Sequence, residues 1–235
     1  FLQGRSVRDA RALVRRLYGV CGEAQAAAAA SACELAAGIE PAAATAVARE
    51  CRVIAECAKE YAWRLLLDLP PLLGETVRLQ ELSGLRRRID KLNIDHGEEQ
   101  LSCASAGAEM SGWLALADEV ETFVSTNVLG MPIDEWTRRG IDDWLAEGST
   151  PAARMIAQLV PQRFCMNEVA PLPWLAPDEL RTDIAPALEA SDEFMRSPIW
   201  RSLPAETGAW ARQRQDPRLG EVAHRDLAGR LLARL

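Results

Sequence analysis

Cys21 is the residue whose surroundings point most directly to chemistry. It comes just before residues 23–37, an alanine-rich run that predicts a helix. A thiol at the start of a helix lies near the positive end of the helix dipole, which stabilises the reactive thiolate. Arg15 and Arg16 are close in sequence and would add positive charge. Two interpretations stay open: a ligand or reactive thiol, and a small buried residue that lets the turn pack.

The cysteines as a group do not form a metal or redox motif. The chain contains six, and no two of them form a Cys-x-x-Cys pair. The closest two, Cys51 and Cys57, would lie about 120° apart around a helix and would not share a face. Scattered cysteines in a chain of 235 residues are typical of reduced thiols in the cytoplasm, several of them core residues. The six are Cys21, Cys33, Cys51, Cys57, Cys103 and Cys165.

The remaining candidate groups indicate no familiar catalytic centre. His96 and His224 are the only histidines, and they lie too far apart in sequence to favour a shared metal site. The sequence has no G-x-S-x-G nucleophile motif, no phosphate-binding P-loop and no G-x-G-x-x-G dinucleotide motif. The acidic clusters at 118–121 and 142–143 are typical of solvated helix surfaces.

Composition excludes further classes. The net charge of −7 argues against a protein that coats nucleic acid, because phosphate contacts need an excess of Lys and Arg. A short basic segment at residues 84–91 is predicted to be a solvated helix face. No apolar run reaches the ~18 residues needed to span a bilayer, so we expect no membrane span. Because the chain begins with Phe1, we expect a fragment or a processed form of a longer protein.

The elements that must position Cys21 are predicted to be helices. The helix at 23–37 should end at Gly38, which can adopt the left-handed conformation of a helix end. A second helix should begin near Pro41 and end at Pro70. Apolar residues recur along it at three-to-four spacing and predict one buried stripe. They are Val47, Cys51, Ile54, Ala58, Ala62 and Leu65.

Later segments complete a mainly α prediction, a long-helix bundle with a loop-rich C-terminal third. Helices are expected at about 74–92 and 98–129, with a turn at 93–97. Shorter helices should follow Pro132 and the predicted cap at Ser149 or Thr150, with Pro151 just inside. From about residue 161 frequent prolines favour short helices and two or three short strands. We therefore expect a single domain over 1–235, with a helical core to about 160 and an irregular extension at about 161–235.

The stretch around Cys21, RRLYGVCGEAQAAAAASACELAAG, resembles the first cysteine motif of nickel–iron hydrogenase large subunits. That motif reads Arg-x-Cys-Gly-x-Cys-x-x-x-His and leads into a long helix. Arg16, Gly19 and Cys21 match it. Tyr18 stands in place of the first cysteine, and Gln25 stands in place of the histidine.

A second stretch, LPAETGAWARQ at residues 203–213, resembles the family's P-x-E-x-G-x-x-A-R segment. The matching residues are Pro204, Glu206, Gly208, Ala211 and Arg212. The segment EYAWRLLLDLP falls where large subunits end a long helix in a similar way. The second cysteine motif of those subunits is absent from these residues. This combination is similar to the HupK/HoxV-type hydrogenase expression/formation proteins, which are accessory homologues of the large subunit.

The resemblance implies a protein that is not an enzyme. The hydrogenase centre needs four thiolates, which suit its soft metals. Tyr18 cannot replace one of them, because a phenol loses its proton only near pH ~10. What the resemblance implies is a cytoplasmic accessory or scaffold protein of hydrogenase maturation. It would have no firmly bound cofactor and would hold or relay the Fe(CN)2CO precursor to the immature large subunit.

The implied partners are maturation chaperones or the immature large subunit, with no nucleic acid and no membrane. Cys21 would contact iron. The implied pocket residues are Arg16, Tyr18, Gly19, Gln25, Glu206 and Arg212. One alternative is a metal-free interaction protein that mimics the large subunit to bind chaperones, and another is a degenerate subunit of an oxidoreductase complex.

Overall fold

The chain is mainly helical, as predicted. The computed structural model describes residues 1–95, 106–159, 170–171, 182, 184–200 and 202–206. The chain divides into two compact units, Phe1–Ile133 and Asp134–Leu235. The boundary predicted near residue 160, between a helical core and an irregular extension, falls within the second unit. The single-domain organisation stays a prediction. No helix in the described ranges is long and apolar enough to cross a membrane.

The described part of the first unit is mainly helical, and a π-helical turn follows two of its helices. Its helices are α1 (Val7–Leu17), α2 (Gly22–Ala37), α3 (Ala43–Trp63), α4 (Leu69–Leu72), α5 (Leu79–Asp95) and α6 (Ala106–Val124). The π-helical turns are Arg64–Asp68, between α3 and α4, and Ser125–Leu129, after α6.

The predicted helix after Cys21 is confirmed as α2. Gly38 ends it with φ of 64°, the left-handed conformation that glycine adopts at little cost. Its N–H donates to the Leu35 carbonyl at 3.2 Å, and the Ile39 N–H donates to the Glu34 carbonyl at 2.8 Å. These bonds satisfy carbonyls that the end of a helix would otherwise leave without donors.

The predicted buried stripe of the second helix is confirmed at Ala62 and Leu65, each 5% exposed, and is wrong in the earlier part of α3. Val47 is 39% exposed and Ile54 is 60% exposed. The buried face lies one residue further along the chain and includes Arg52, at 6% exposure, and Glu56, at 7%. This face packs against α2, whose alanines leave room for long side chains. The described residues buried along α3 are Ala48, Arg52, Ala55, Glu56 and Ala62.

The helical path also continues past the prolines that were expected to end it. The Arg64–Asp68 π-turn leads into α4, which contains Pro70 and ends at Leu72. Pro70 has no N–H to donate to the Leu66 carbonyl one turn earlier. That carbonyl instead accepts the backbone N–H of Arg78, at 2.9 Å. A donor from outside the helix thus replaces the one that proline removes.

Helices α5 and α6 contribute large side chains to the apolar core of the first unit. Leu82 and Ile89 of α5 are 1% and 0% exposed. A Cβ added at Gly112 of α6 would lie 3.1 Å from Leu92 Cδ2. The two helices therefore approach each other closely at this glycine. The basic segment is a solvated face as predicted, because Arg87 and Arg88 are exposed and Arg88 pairs with Glu119 at 2.7 Å.

The second unit contains the short helices and strands expected from its prolines. Thr150 caps a helix as predicted, accepting the Ala153 N–H on its Oγ1 at 3.1 Å. Trp136 and Trp144 pack edge to face with ring centroids 6.0 Å apart. The described helices are α7 (Ile133–Arg139), which begins at the unit boundary, α8 (Ile141–Glu147), α9 (Pro151–Leu159), α10 (Ala185–Ala190) and α11 (Asp192–Arg196).

Among the described residues of the second unit, three short strands form a small sheet, where two or three short strands were expected. They are β1 (Ala170–Pro171), β2 (Ile199–Trp200) and β3 (Leu203–Glu206). β3 is central, parallel to β1 and antiparallel to β2. Its last residue, Glu206, is in register with Pro171 of β1.

Candidate functional site

Cys21 lies in the short loop between α1 and α2 and is the N-cap residue of α2. Its φ and ψ of −131° and 36° are non-helical, and its carbonyl accepts the Gln25 N–H at 2.9 Å. The side chain is half-buried and makes no capping hydrogen bond to the helix. The thiol therefore lies at the start of α2 without capping it.

Gln25 is the predicted pocket residue that the structure brings to the thiol. Its Nε2 lies 3.8 Å from Cys21 Sγ, within range of a weak N–H···S hydrogen bond. Tyr18 and Gly19 belong to the same loop and are exposed, Tyr18 at 47%. Arg16 is exposed near the end of α1. Cys21 and Gln25 are thus in contact, whereas the other three residues surround them toward solvent.

Gly22 explains how the loop approaches α1 so closely. A Cβ added there would lie 2.5 Å from the carbonyl oxygen of Arg15. Only glycine allows this approach, because Cβ atoms are essentially never found at such a distance from a carbonyl oxygen. The side chain of Arg15 pairs with Glu23, so the charge expected to favour the Cys21 thiolate is directed to a carboxylate instead.

Glu56 is the functional candidate that the sequence interpretation missed. It lies on α3, 33 residues after Glu23, and its Oε1 accepts the Glu23 N–H at 2.9 Å. Its Oε2 accepts the Ala24 N–H at 3.1 Å. Glu23 and Ala24 follow the first helical residue, Gly22, so these are the amides that an N-cap side chain normally binds. The only signal in the sequence was a charged pair, Arg52 and Glu56, four residues apart among the small residues of α3.

A second ion pair joins the far end of α2 to α3. Arg49 binds Glu34 in a bidentate manner, with N–O distances of 2.7 and 2.6 Å. The hydrogen bonds from Arg49 hold the pKa of Glu34 below its ordinary value, with Coulombic support from Arg49 and Arg11, while burial opposes the shift. α2 is thus attached to α3 through side chains near both of its ends.

A small cavity, open to solvent, lies between α2 and α3. It has room for about one water molecule. Both arginines that line it come from α3, and the alanines of α2 provide the space that they occupy. The lining residues are Glu23, Ala26, Ala27, Arg49 and Arg52.

The other described thiols do not assemble around Cys21 into a metal site. Cys33 and Cys51 are half-buried. Burial raises the pKa of the Cys51 thiol, and the neighbouring Glu50 carboxylate adds to the increase. Among the residues that the structure describes, no group of three or more His, Cys, Asp or Glu side chains could hold a metal ion. His96, His224, Cys103 and Cys165 lie outside the described residues.

The predicted far wall of the pocket stays a prediction. Glu206 ends strand β3 of the second unit, and Arg212 lies outside the described residues. The structure therefore places five of the seven predicted site residues on or beside the loop between α1 and α2. These are Arg16, Tyr18, Gly19, Cys21 and Gln25.

Comparison with protein-family models, curated proteins and solved structures found no match to this chain. The resemblance to nickel–iron hydrogenase large subunits consequently rests on the sequence motifs alone.

Proposed function

We propose that this chain is a non-catalytic accessory protein of nickel–iron hydrogenase maturation, acting in the cytoplasm. In this role Cys21 contacts the Fe(CN)2CO precursor as cargo and releases it to the immature large subunit. The observation that carries the proposal is the Cys21 thiol itself, which is half-buried at the start of α2 and makes no capping hydrogen bond. The helical first unit would correspond to the long-helix bundle of the large subunit.

The chemistry of the loop suits a transient contact better than a permanent centre. A thiolate is a soft ligand that binds iron. Gln25, beside it, offers an amide nitrogen that donates hydrogen bonds and has no lone pair for a metal. Tyr18 adds no thiolate. A single thiol ligand holds its cargo less firmly than four, and a protein that must release its cargo requires this weaker hold.

The surface beside Cys21 supports a protein partner, such as the immature large subunit or a maturation chaperone. Leu17, Tyr18 and Val20 are 49%, 47% and 58% exposed. Three large apolar side chains within four residues of the thiol would be covered when a partner binds. The same observation favours the second candidate function, a metal-free interaction protein that mimics the large subunit and binds its chaperones.

Replacement of Cys21 tests the proposal. In the host, we expect Cys21→Ser to lower the yield of mature hydrogenase, whereas Cys33→Ser, a half-buried thiol of the same helix, leaves it unchanged. In protein purified without oxygen, infrared bands of cyanide and carbon monoxide should be present in the Cys33→Ser protein and absent from the Cys21→Ser protein. Normal hydrogenase maturation with Cys21→Ser would refute the metal-handling role.

The same purified protein distinguishes the carrier of the iron precursor from the metal-free interaction protein. Chaperones that co-purify without cyanide or carbonyl bands would favour the interaction protein. In that case Leu17→Ser and Val20→Ser should reduce the amount of chaperone bound, whereas Cys21→Ser should not. Leu35 is 69% exposed on α2. The substitution Leu35→Ser is therefore the control for a change of surface polarity alone.

A further inference from the structure

Cys21 occupies the N-cap position of α2, but the capping hydrogen bonds are made by Glu56. In most helices one residue does both. An N-cap side chain usually accepts the N–H groups of the second and third helical residues. In α2 these amides belong to Glu23 and Ala24, and each donates to one oxygen of Glu56. Cys21, the N-cap residue, makes no such bond. The carboxylate of another helix therefore takes the position in which the Cys21 sulfur would otherwise be stabilised.

We infer that Glu56 is a positioning residue for Cys21: it occupies the two backbone amides at the start of α2 and thereby keeps the thiol from binding them. The thiol is left available to cargo or to a partner. The biological meaning of this arrangement rests on the proposed function. The arrangement itself is a property of the purified chain and can be tested without any hydrogenase.

Burial and charge give Glu56 the means to hold this position. Glu56 is 7% exposed, so water competes little with its carboxylate for the two amides. An anion at the start of a helix is also stabilised by the helix dipole. Glu23 is paired with Arg15 on the other side of the first turn, and Gly22 lies against the Arg15 carbonyl. These contacts hold the start of α2 against α1, next to the amides that Glu56 binds.

The first test measures the alkylation rate of Cys21 by iodoacetamide at neutral pH, relative to Cys33 in the same chain. Proteolysis after glutamate separates the two thiols, because Glu23 lies between them. In Glu56→Ala the amides become available to the sulfur and stabilise its thiolate. We expect the ratio of the Cys21 rate to the Cys33 rate to rise about three-fold or more.

Two further variants control this measurement. Glu56→Gln keeps the size of the side chain and one acceptor oxygen, so it preserves folding and should raise the ratio by a smaller factor. Glu50→Ala removes an exposed glutamate of the same helix and should leave the ratio unchanged. A ratio that stays constant or falls in both Glu56 variants overturns the inference, and so does a parallel rise at both thiols.

The second test distinguishes two causes of a faster Cys21 reaction: backbone amides that have lost their acceptor, and unfolding of the first turn of α2. Serine is a strong N-cap residue, so Cys21→Ser can replace the missing carboxylate only when Glu56 is absent. In the Glu56→Ala background, Cys21→Ser should raise the melting temperature by about 2–4 °C, whereas in the unaltered chain it should have little effect. Equal shifts in the two backgrounds would show that Glu56 does not occupy the capping amides.

Discussion

Helices α2 and α9 begin in opposite ways. α9 is capped locally, because Thr150 directly precedes it and binds the Ala153 N–H with its own side chain. α2 is capped from outside, by Glu56 of α3. A local cap needs only the residues next to it. An external cap forms only once two helices have packed, so the start of α2 depends on the interface with α3. The side chain of Cys21 therefore takes no part in capping α2, whereas the side chain of Thr150 caps α9.

The substitution Glu56→Ala is the most informative test of this difference between an external and a local cap. The substitution leaves two backbone amides without their charged acceptor and should lower the free energy of unfolding by about 2–3 kcal/mol, as hydrogen bonds to charged groups do. Urea titration of the full chain measures the change. Glu50→Ala, at an exposed position of the same helix, should stay within about 0.5 kcal/mol. Equal effects at the two positions would contradict an external cap.

Gly22→Ala tests whether the loop of Cys21 is fixed by its approach to α1. The new Cβ would meet the Arg15 carbonyl oxygen at 2.5 Å, and relief of that contact should cost about 1–3 kcal/mol. Gly84→Ala is the matched control in α5, where a Cβ would meet nothing within 4 Å. Because alanine is the better helix former, this control should gain about 0.5–1 kcal/mol. The two substitutions should therefore have opposite signs in urea titration.

Thr150→Ala gives the reference value for a local cap. Loss of the Thr150 side chain should cost about 1 kcal/mol, less than the loss of Glu56. Urea titration of the full chain would measure it, as for Glu56→Ala. Ser149→Ala, next to it and exposed, is the control. If Thr150→Ala costs more than Glu56→Ala, the ranking of the two caps is wrong.

The smallest expected effect concerns the other end of α2 and depends on pH. Because Arg49 lowers the pKa of Glu34 in the folded chain, the pair stabilises the fold above the ordinary glutamate value of 4.5. That stabilisation is lost as the pH falls through the lowered value. Its size should be within about 1 kcal/mol, because both side chains keep some contact with solvent that screens the pair. Acid titration of Glu34→Gln should show a shallower loss of stability below about pH 4.5 than the unaltered chain.

The sequence predicted those features that depend on neighbouring residues. The start of α9 was predicted because Thr150 and Pro151 form a local helix signal. The end of α2 was predicted because Gly38 follows a run of helix formers. Both depend on backbone conformation and on hydrogen bonds within a few residues, so no knowledge of packing is required.

The face of α3 could not be predicted, because its partner decides which residues are buried. Hydrophobic spacing favoured Val47 and Ile54, but both are exposed. The alanine surface of α2 has room for Arg52 and amides that Glu56 can bind, so a charged face is buried. The same limit applies to the candidate site. Sequence pointed to Cys21 and Gln25, yet Glu56 lies 33 residues from its hydrogen-bond donor and has no local signal.

Arg78 has a consequence for how opening of the first unit could be followed. Its amide precedes α5 and donates to Leu66, the carbonyl that Pro70 leaves without a helical donor. Its guanidinium also binds the Asn127 carbonyl and Oδ1, at 3.0 and 2.6 Å, in the second π-turn. An amide outside any helix usually exchanges its proton with solvent quickly. In deuterated water the Arg78 proton should instead persist, and its loss would report when the two π-turns separate.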